Sequence, residues 1–365
     1  MACKLSSANT LCRCTSERPC CPHTPTNPFT IFAFSAADIP FRIFFGFVFA
    51  LIITSCGGPQ SALDPAGHAA QWIADIFWWM TGSAAVIWAA VIVLALWAAR
   101  RAPEKQNRRR TNIMIIGGGA VVPTLALALL LLYGLAPIPA LLAPAPPGSL
   151  QIEVSGEQWW WRVGYRPPGD AVVSLANEIR LPVGAPVEFQ LQSPDVVHSF
   201  WIPPLGGKID MLPGRITRLV LTAKRTGTFR GACAEYCGTS HALMAFPVVV
   251  MEPADFARWL TAQSLPAPAP ATPLAGRGLA AFLANGCGAC HSIRGTSASG
   301  AIGPDLTHVG SRLSIGAGIL PNTQEAFVRW LRHTDKLKPG VHMPGFAMLP
   351  ETELQAVAAY LDGLL

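Results

Sequence analysis

Two long apolar runs mark the first third of the chain, and short alternations of apolar and polar residues take over after them. Residues 76–99 and 113–136 each hold about 24 positions without a charge. As helices, runs of that length cross ~30 Å of hydrocarbon, so the pattern predicts a two-helix transmembrane hairpin within residues 56–148. Residues 100–110, between the runs, carry six bases and one acid. A short basic loop stays on the cytoplasmic side, which puts everything after residue 137 on the other side. A proline-rich exit at 136–147 leads into alternating segments at 150–161, 178–181, 187–192, 199–202, 216–223, 228–232 and 248–252. Glycine and proline punctuate them as in a β-sandwich or barrel, here over 149–263.

The period changes again near the C-terminus. Phe256, Trp259 and Leu260 fall on one face of a short helix at 254–262. A Pro-Ala stretch then gives a linker at 264–274, expected to be a semi-rigid extended tether. Residues 275–365 read as an all-α domain. Leu279, Phe282 and Leu283 share one helical face, Phe327, Trp330 and Leu331 another, and Leu354, Val357, Ala358 and Leu361 a third.

Composition narrows the class. With 51% hydrophobic and 13% charged residues, the chain is too apolar for one soluble domain. Its net charge of +6 owes much to the basic loop, so it gives no reason to expect nucleic acid. Residues 41–53 form a shorter apolar run, with Arg42 inside, that ends in Thr54-Ser55-Cys56. This reads as a lipoprotein signal cut before Cys56, which would then carry lipid; a single thiol in a signal's tail is the plain alternative. Residues 1–55 are thus a leader and signal peptide. Cys3, Cys12, Cys14, Cys20 and Cys21, with His23, are either a zinc knuckle or part of a discarded leader, and they do not enter the fold.

Two motifs carry chemistry. Cys233, Cys237, His241 and Met244 lie within twelve residues, and His198 stands 35 residues upstream. Soft sulfur donors with imidazoles select copper, and two thiolates can bridge two ions. A disulfide or half of a zinc site are the other readings of the cysteine pair. The second motif is Cys287-Gly-Ala-Cys290-His291. C-x-x-C-H is the attachment pattern of c-type haem, with two thioether bonds and a proximal histidine.

The first motif resembles the dinuclear copper (CuA) site of cytochrome c oxidase subunit II. The second, with Gly303-Pro304-Asp305-Leu306 and Met343-Pro344 after it, resembles class I cytochrome c. These likenesses imply a cupredoxin-like Greek-key barrel fused to a cytochrome c domain, as in caa-type haem–copper oxidases. They also imply copper ligands His198, Cys233, Cys237, His241, Met244 and the Glu235 carbonyl. The Glu235 carboxylate would help hold Mg at the interface with subunit I. Trp159, in Gly156-Glu-Gln-Trp-Trp-Trp161, would be the electron entry to copper, with Trp160 left to packing or the membrane interface. Haem c would attach to Cys287 and Cys290, with iron held by His291 and Met343 and the Pro304 carbonyl on the His291 ring. His342 is the rival sixth ligand. His308 and His333 are expected at the surface or near the propionates, and Met348 in packing.

By the same likeness the chain is subunit II of a terminal oxidase in a bacterial inner membrane, with both metal domains periplasmic. An external cytochrome would reduce the haem, the haem the copper, and the copper subunit I, where oxygen becomes water. The family commonly has a Glu near the start of the second helix, where residues 111–122 hold no carboxylate and Ile116 takes the place. That departure keeps two alternatives: the CuA subunit of a nitric oxide reductase, and a free-standing membrane relay.

Overall fold

The computed structural model describes residues 57–100, 107–167, 169 and 171–365. Cys56, the cysteine-rich leader and most of the basic loop lie outside them. Helices α1 (His68–Arg100) and α2 (Arg108–Leu142) are both long and apolar enough to cross a membrane. Each exceeds its apolar run because its outer end continues onto the β domain. In α1, Ala70 and Ala74 are buried, and the Ala70 N–H donates to the Leu205 carbonyl at 3.3 Å. Past the end of α2's own bonding, the Leu142 carbonyl accepts from Arg218 at 3.2 Å. Trp72 and Tyr133 stack at 4.7 Å and join the two helices. Within α2, Ile113–Val121 winds as a π-helix ahead of Pro123, which has no N–H and whose ring bulk disfavours the tighter ladder.

Among the described residues, ten strands make the β domain: β1 (Leu150–Glu157), β2 (Trp160–Arg166), β3 (Val173–Ala176), β4 (Ile179–Pro182), β5 (Pro186–Gln192), β6 (His198–Trp201), β7 (Ile209–Met211), β8 (Thr217–Thr222), β9 (Gly227–Cys233) and β10 (Ala245–Met251). They form two five-stranded sheets, ordered β3-β2-β1-β5-β8 and β4-β10-β9-β6-β7. This is the two-sheet form of the expected cupredoxin-like fold. Where the sequence suggests one strand over 150–161, the chain instead turns at Gln158–Trp159. β1 pairs antiparallel with β2, Glu157 opposite Trp160. The turn resolves the three tryptophans: Trp161 is fully buried in the core and Trp159 is 6% exposed, while half-buried Trp160 lies under the Arg162 guanidinium at 4.6 Å.

The core is an aromatic stack between the sheets. Trp161 meets Phe246 edge-on at 5.0 Å, and Phe200 stacks on Phe246 at 5.2 Å. Burying each such ring contributes about 1.5–3 kcal/mol. Gly231 is required beside them, because a Cβ there would lie 2.2 Å from Phe246 Cζ.

Helix α3 (Pro253–Ser264) follows, and then the linker. It is not a free tether. The Ala267 N–H donates to the Arg294 carbonyl at 2.9 Å, and a Cβ on Gly295 would stand 3.0 Å from Pro266 Cβ. His308 is buried rather than at the surface: Nε2 contacts the Leu265 carbonyl at 3.0 Å and Nδ1 the Leu365 carbonyl at 2.8 Å. It pins the linker to the C-terminus.

The C-terminal domain packs α4 (Pro273–Ala284), α5 (Gln324–Leu337) and α6 (Glu351–Asp362) around Phe282, Phe327, Leu331, Leu354 and Tyr360. Thr272 and Thr323 cap α4 and α5 by accepting from the Ala275 and Ala326 N–H groups. Gly278 lets α6 approach closely, since a Cβ there would fall 2.0 Å from the Ala356 carbonyl oxygen. The expected all-α domain also holds a small hairpin, β11 (Ser314–Ile315) with β12 (Leu320–Pro321). Met348, expected in packing, is 75% exposed.

Candidate metal centres

β9 ends in Cys233, a loop returns to β10 through Met244, and β6 begins at His198. The pairing of β6 with β9 brings these segments together. The two sulfurs lie 3.8 Å apart, far beyond the ~2.05 Å of a disulfide, and both thiols are free. His198 Nδ1 stands 3.9 Å from Cys233 Sγ, and His241 Nδ1 3.5 Å from Cys237 Sγ. Met244 Sδ is 3.9 Å from Cys237 Sγ, and the Glu235 carbonyl 3.2 Å from Cys233 Sγ. All six donors expected from the sequence therefore converge. Three sulfurs, two imidazoles and one carbonyl suit copper better than zinc, which seldom recruits a thioether.

The electrostatics favour a thiolate here. The hydrogen bond from Cys237 is the largest influence on Cys233 and, with help from His198 and backbone N–H groups, holds it well below the usual thiol range. Cys237 is raised in turn, because it is the partner that keeps the shared proton. Burial alone would lower His198, but its bonds to Cys233 and Asp195 outweigh burial and leave it above the usual imidazole range.

Around these donors stand residues to which the sequence assigns no role. Asp195 accepts from the Gln158 N–H at 2.7 Å and the Val196 N–H at 2.6 Å, and holds His198 Nε2 at 2.9 Å. One carboxylate thus fixes both the imidazole and the turn that presents Trp159. Gly156 gives His198 its space: a Cβ there would lie 3.0 Å from the ring. Sequence reasoning missed both; the spacing of Asp195, three residues before His198, is a signal that could have found it, and Gly156 had none. The Glu235 side chain is half-buried, and Asp210 is exposed near Lys208 at 3.9 Å.

The second cluster lines a cavity of about 550 Å³ that includes Cys287, Cys290, His291, Pro304, Arg312 and Met343. His291 Nδ1 meets the Pro304 carbonyl at 2.8 Å, so Nδ1 carries the proton and Nε2 keeps its lone pair. Burial first, and then the Arg312 charge, hold the ring below its usual range, against the pull of Pro304. A Cβ on Gly303 would stand 2.6 Å from the ring, so the imidazole rests directly on that backbone. Two thiols, a neutral imidazole and a thioether around one cavity fit a covalently attached haem. His342 also lines the cavity, but its side chain is exposed.

The same cavity includes Trp159, whose ring lies between the two clusters of side chains. Its Nε1–H donates to the Cys237 carbonyl at 2.9 Å, and Gln158 Nε2 donates to the same oxygen at 2.8 Å. The opposite edge of the indole faces Gly340, three residues before Met343, where a Cβ would lie 2.9 Å from Cη2. The domains are pinned together elsewhere as well. Glu178 accepts from the Leu313 N–H at 2.7 Å, Arg180 donates to the Ser311 carbonyl at 3.2 Å, and Arg162 to the Ala301 carbonyl at 3.0 Å.

Two segments of the chain match known protein families. Residues 166–252 match the family described as cytochrome c oxidase subunit II, periplasmic domain, and residues 275–365 match cytochrome c. Cytochrome c oxidase subunit 2 of Alkalihalophilus pseudofirmus is 39% identical over 216 residues, 59% of this chain and 61% of that protein. The Bacillus subtilis protein of the same name is 32% identical over 226 residues, 59% of this chain and 62% of its own. The chain therefore spans about three-fifths of the length of the curated relatives it matches. The crystal structure of the periplasmic domain of subunit II of cytochrome oxidase from Bradyrhizobium japonicum is 32% identical, covers 33% of this chain and 96% of its own, and superposes with a TM-score of 0.31.

Proposed function

We propose, for a chain that carries a cytochrome c oxidase subunit II periplasmic domain followed by a cytochrome c domain, that it feeds electrons to the oxygen-reducing subunit I of a haem–copper oxidase. Haem c and a dinuclear copper pair supply one-electron redox chemistry when bound. His198, Cys233, Cys237, His241, Met244 and the Glu235 carbonyl would hold the copper. Cys287 and Cys290 would anchor the haem, and His291 and Met343 would ligate its iron. The donor is an external c-type cytochrome. The two helices sit in a bacterial inner membrane with both metal domains periplasmic, and Cys56 carries a lipid anchor. A Mg ion on the Glu235 carboxylate at the subunit I interface belongs to the same reading.

The observation that carries it is the position of Trp159. Its N–H is bonded to the backbone of one cysteine ligand, and its far edge touches the loop that leads to Met343. The residues around it do three things. Asp195 and Gln158 hold the indole in one orientation, burial keeps water out, and the interdomain bonds fix the separation of the centres. Ligands held by a rigid scaffold rearrange little between redox states.

The Ile116 departure favours one further reading, the CuA subunit of a nitric oxide reductase, where proton entry at that point is not needed. Turnover of nitric oxide against oxygen in the purified complex separates the two. The copper assignment itself is tested by electron spin resonance of the copper-loaded chain. One electron shared over two copper nuclei is expected; a four-line signal from a single copper would refute the dinuclear centre.

A further inference from the structure

Lys338 belongs to the C-terminal domain but ends on the copper loop. It is 2% exposed. Its Nζ donates to the Leu243 carbonyl at 2.9 Å and to the Gly316 carbonyl at 2.8 Å. No carboxylate pairs with it among the described residues. A buried, unpaired ammonium is costly, and burial pulls this one down to about 7. The bond to the Leu243 carbonyl puts this group one residue from Met244.

Its neighbours have the same aim. Leu243 and Ala245 flank Met244; Lys338 holds the first, and the Ala245 N–H donates to the Ala317 carbonyl at 3.1 Å. Ser240, beside His241, donates to the Pro339 carbonyl at 2.6 Å. The C-terminal domain thus grips the backbone next to two of the six proposed copper donors, and Lys338 brings a charged group to that grip.

Resting on the copper reading above, we propose that Lys338 is a positioning residue that sets the reduction potential of the copper centre. It orients the Met244 end of the loop through the Leu243 carbonyl, and its charge stabilises the reduced, more negative state. Net charge and hydrogen bonding around sulfur ligands are established levers on metal potentials. The haem domain would then tune its own electron acceptor as well as supply it.

The test uses the full chain loaded with haem and copper at pH 6, where Lys338 is protonated. Lys338→Gln keeps two N–H donors without the charge, Lys338→Met removes both, and Lys338→Arg keeps the charge. Redox titration followed by the copper spectrum should show the reduction equilibrium about tenfold less favourable in Lys338→Gln, which is about 59 mV for one electron. Lys338→Met should fall at least as far, and Lys338→Arg should stay near wild type. Wild-type potential in whichever uncharged variant retains copper would overturn the proposal. Loss of the copper signal in all three variants would also overturn it, because Lys338 would then be structural only. A wild-type chain with no mixed-valence copper would instead sink the copper reading beneath it.

Discussion

Gly340 lies against the ring of Trp159 so closely that a Cβ would stand 2.9 Å from Cη2 and 3.1 Å from Cζ3. Its φ of +81° also favours glycine. Two domains that share no sheet or helix among the described residues therefore touch through a backbone and an indole.

Gly340→Ala would meet both penalties at once. The left-handed backbone costs an alanine about 1–3 kcal/mol, and the methyl must displace Trp159. Transfer from haem to copper should slow by about tenfold or more, the equivalent of ~1.4 kcal/mol, while both centres still assemble. Flash or stopped-flow kinetics on the loaded chain would show this. Wild-type rates would mean that the contact is not the route.

Asp195→Asn should weaken copper binding without touching a ligand. The carboxylate serves His198 and the Gln158–Trp159 turn together, and removing such an outer partner typically costs about 10–100-fold in metal affinity. Competition with a copper chelator measures it. Unchanged retention would show that Gly156 and the aromatic core alone hold the imidazole.

Lys338 also makes stability depend on pH. Its folded value of about 7 lies below the ordinary 10.5. Between the two, the unfolded chain holds a proton that the folded chain has released, so stability rises with pH. The slope reaches at most ~1.4 kcal/mol per pH unit for one such group. Below about 7 both states are protonated, and the whole cost of burial remains. Denaturant titrations at pH 7 and pH 9 should show wild type gaining more than Lys338→Met; equal gains would mean that the ammonium is not buried in solution.

Much of this was legible in the sequence. The apolar runs gave both helices, and donor chemistry and spacing gave both clusters, because those signals are local. What escaped was non-local or conformational. Three consecutive tryptophans read as one strand, since nothing in Gln158–Trp159 announces a turn. Proline content suggested a semi-rigid extended tether at 264–274 but gave no sign that His308 and Arg294, far along the chain, hold it down. Lys338 and Gly340 looked like ordinary loop residues because their partners, Leu243 and Trp159, lie about 100 and 180 positions away.

Cys56 should be the first residue of the mature chain. Mass spectrometry of protein purified from membranes is expected to find a diacylglyceryl group on Cys56 and no peptide from residues 1–55. Peptides containing Cys12 or Cys20 in the assembled protein would contradict the lipoprotein reading.

The order of electron flow is the central claim, and stopped-flow mixing of the loaded chain with a reduced c-type cytochrome tests it most directly. The haem band should report reduction first, with the copper band following. Met343→Ala should slow the copper phase while leaving copper bound. Copper reduced before haem, or at an unchanged rate in Met343→Ala, would contradict a relay that enters through the C-terminal domain and leaves through Trp159.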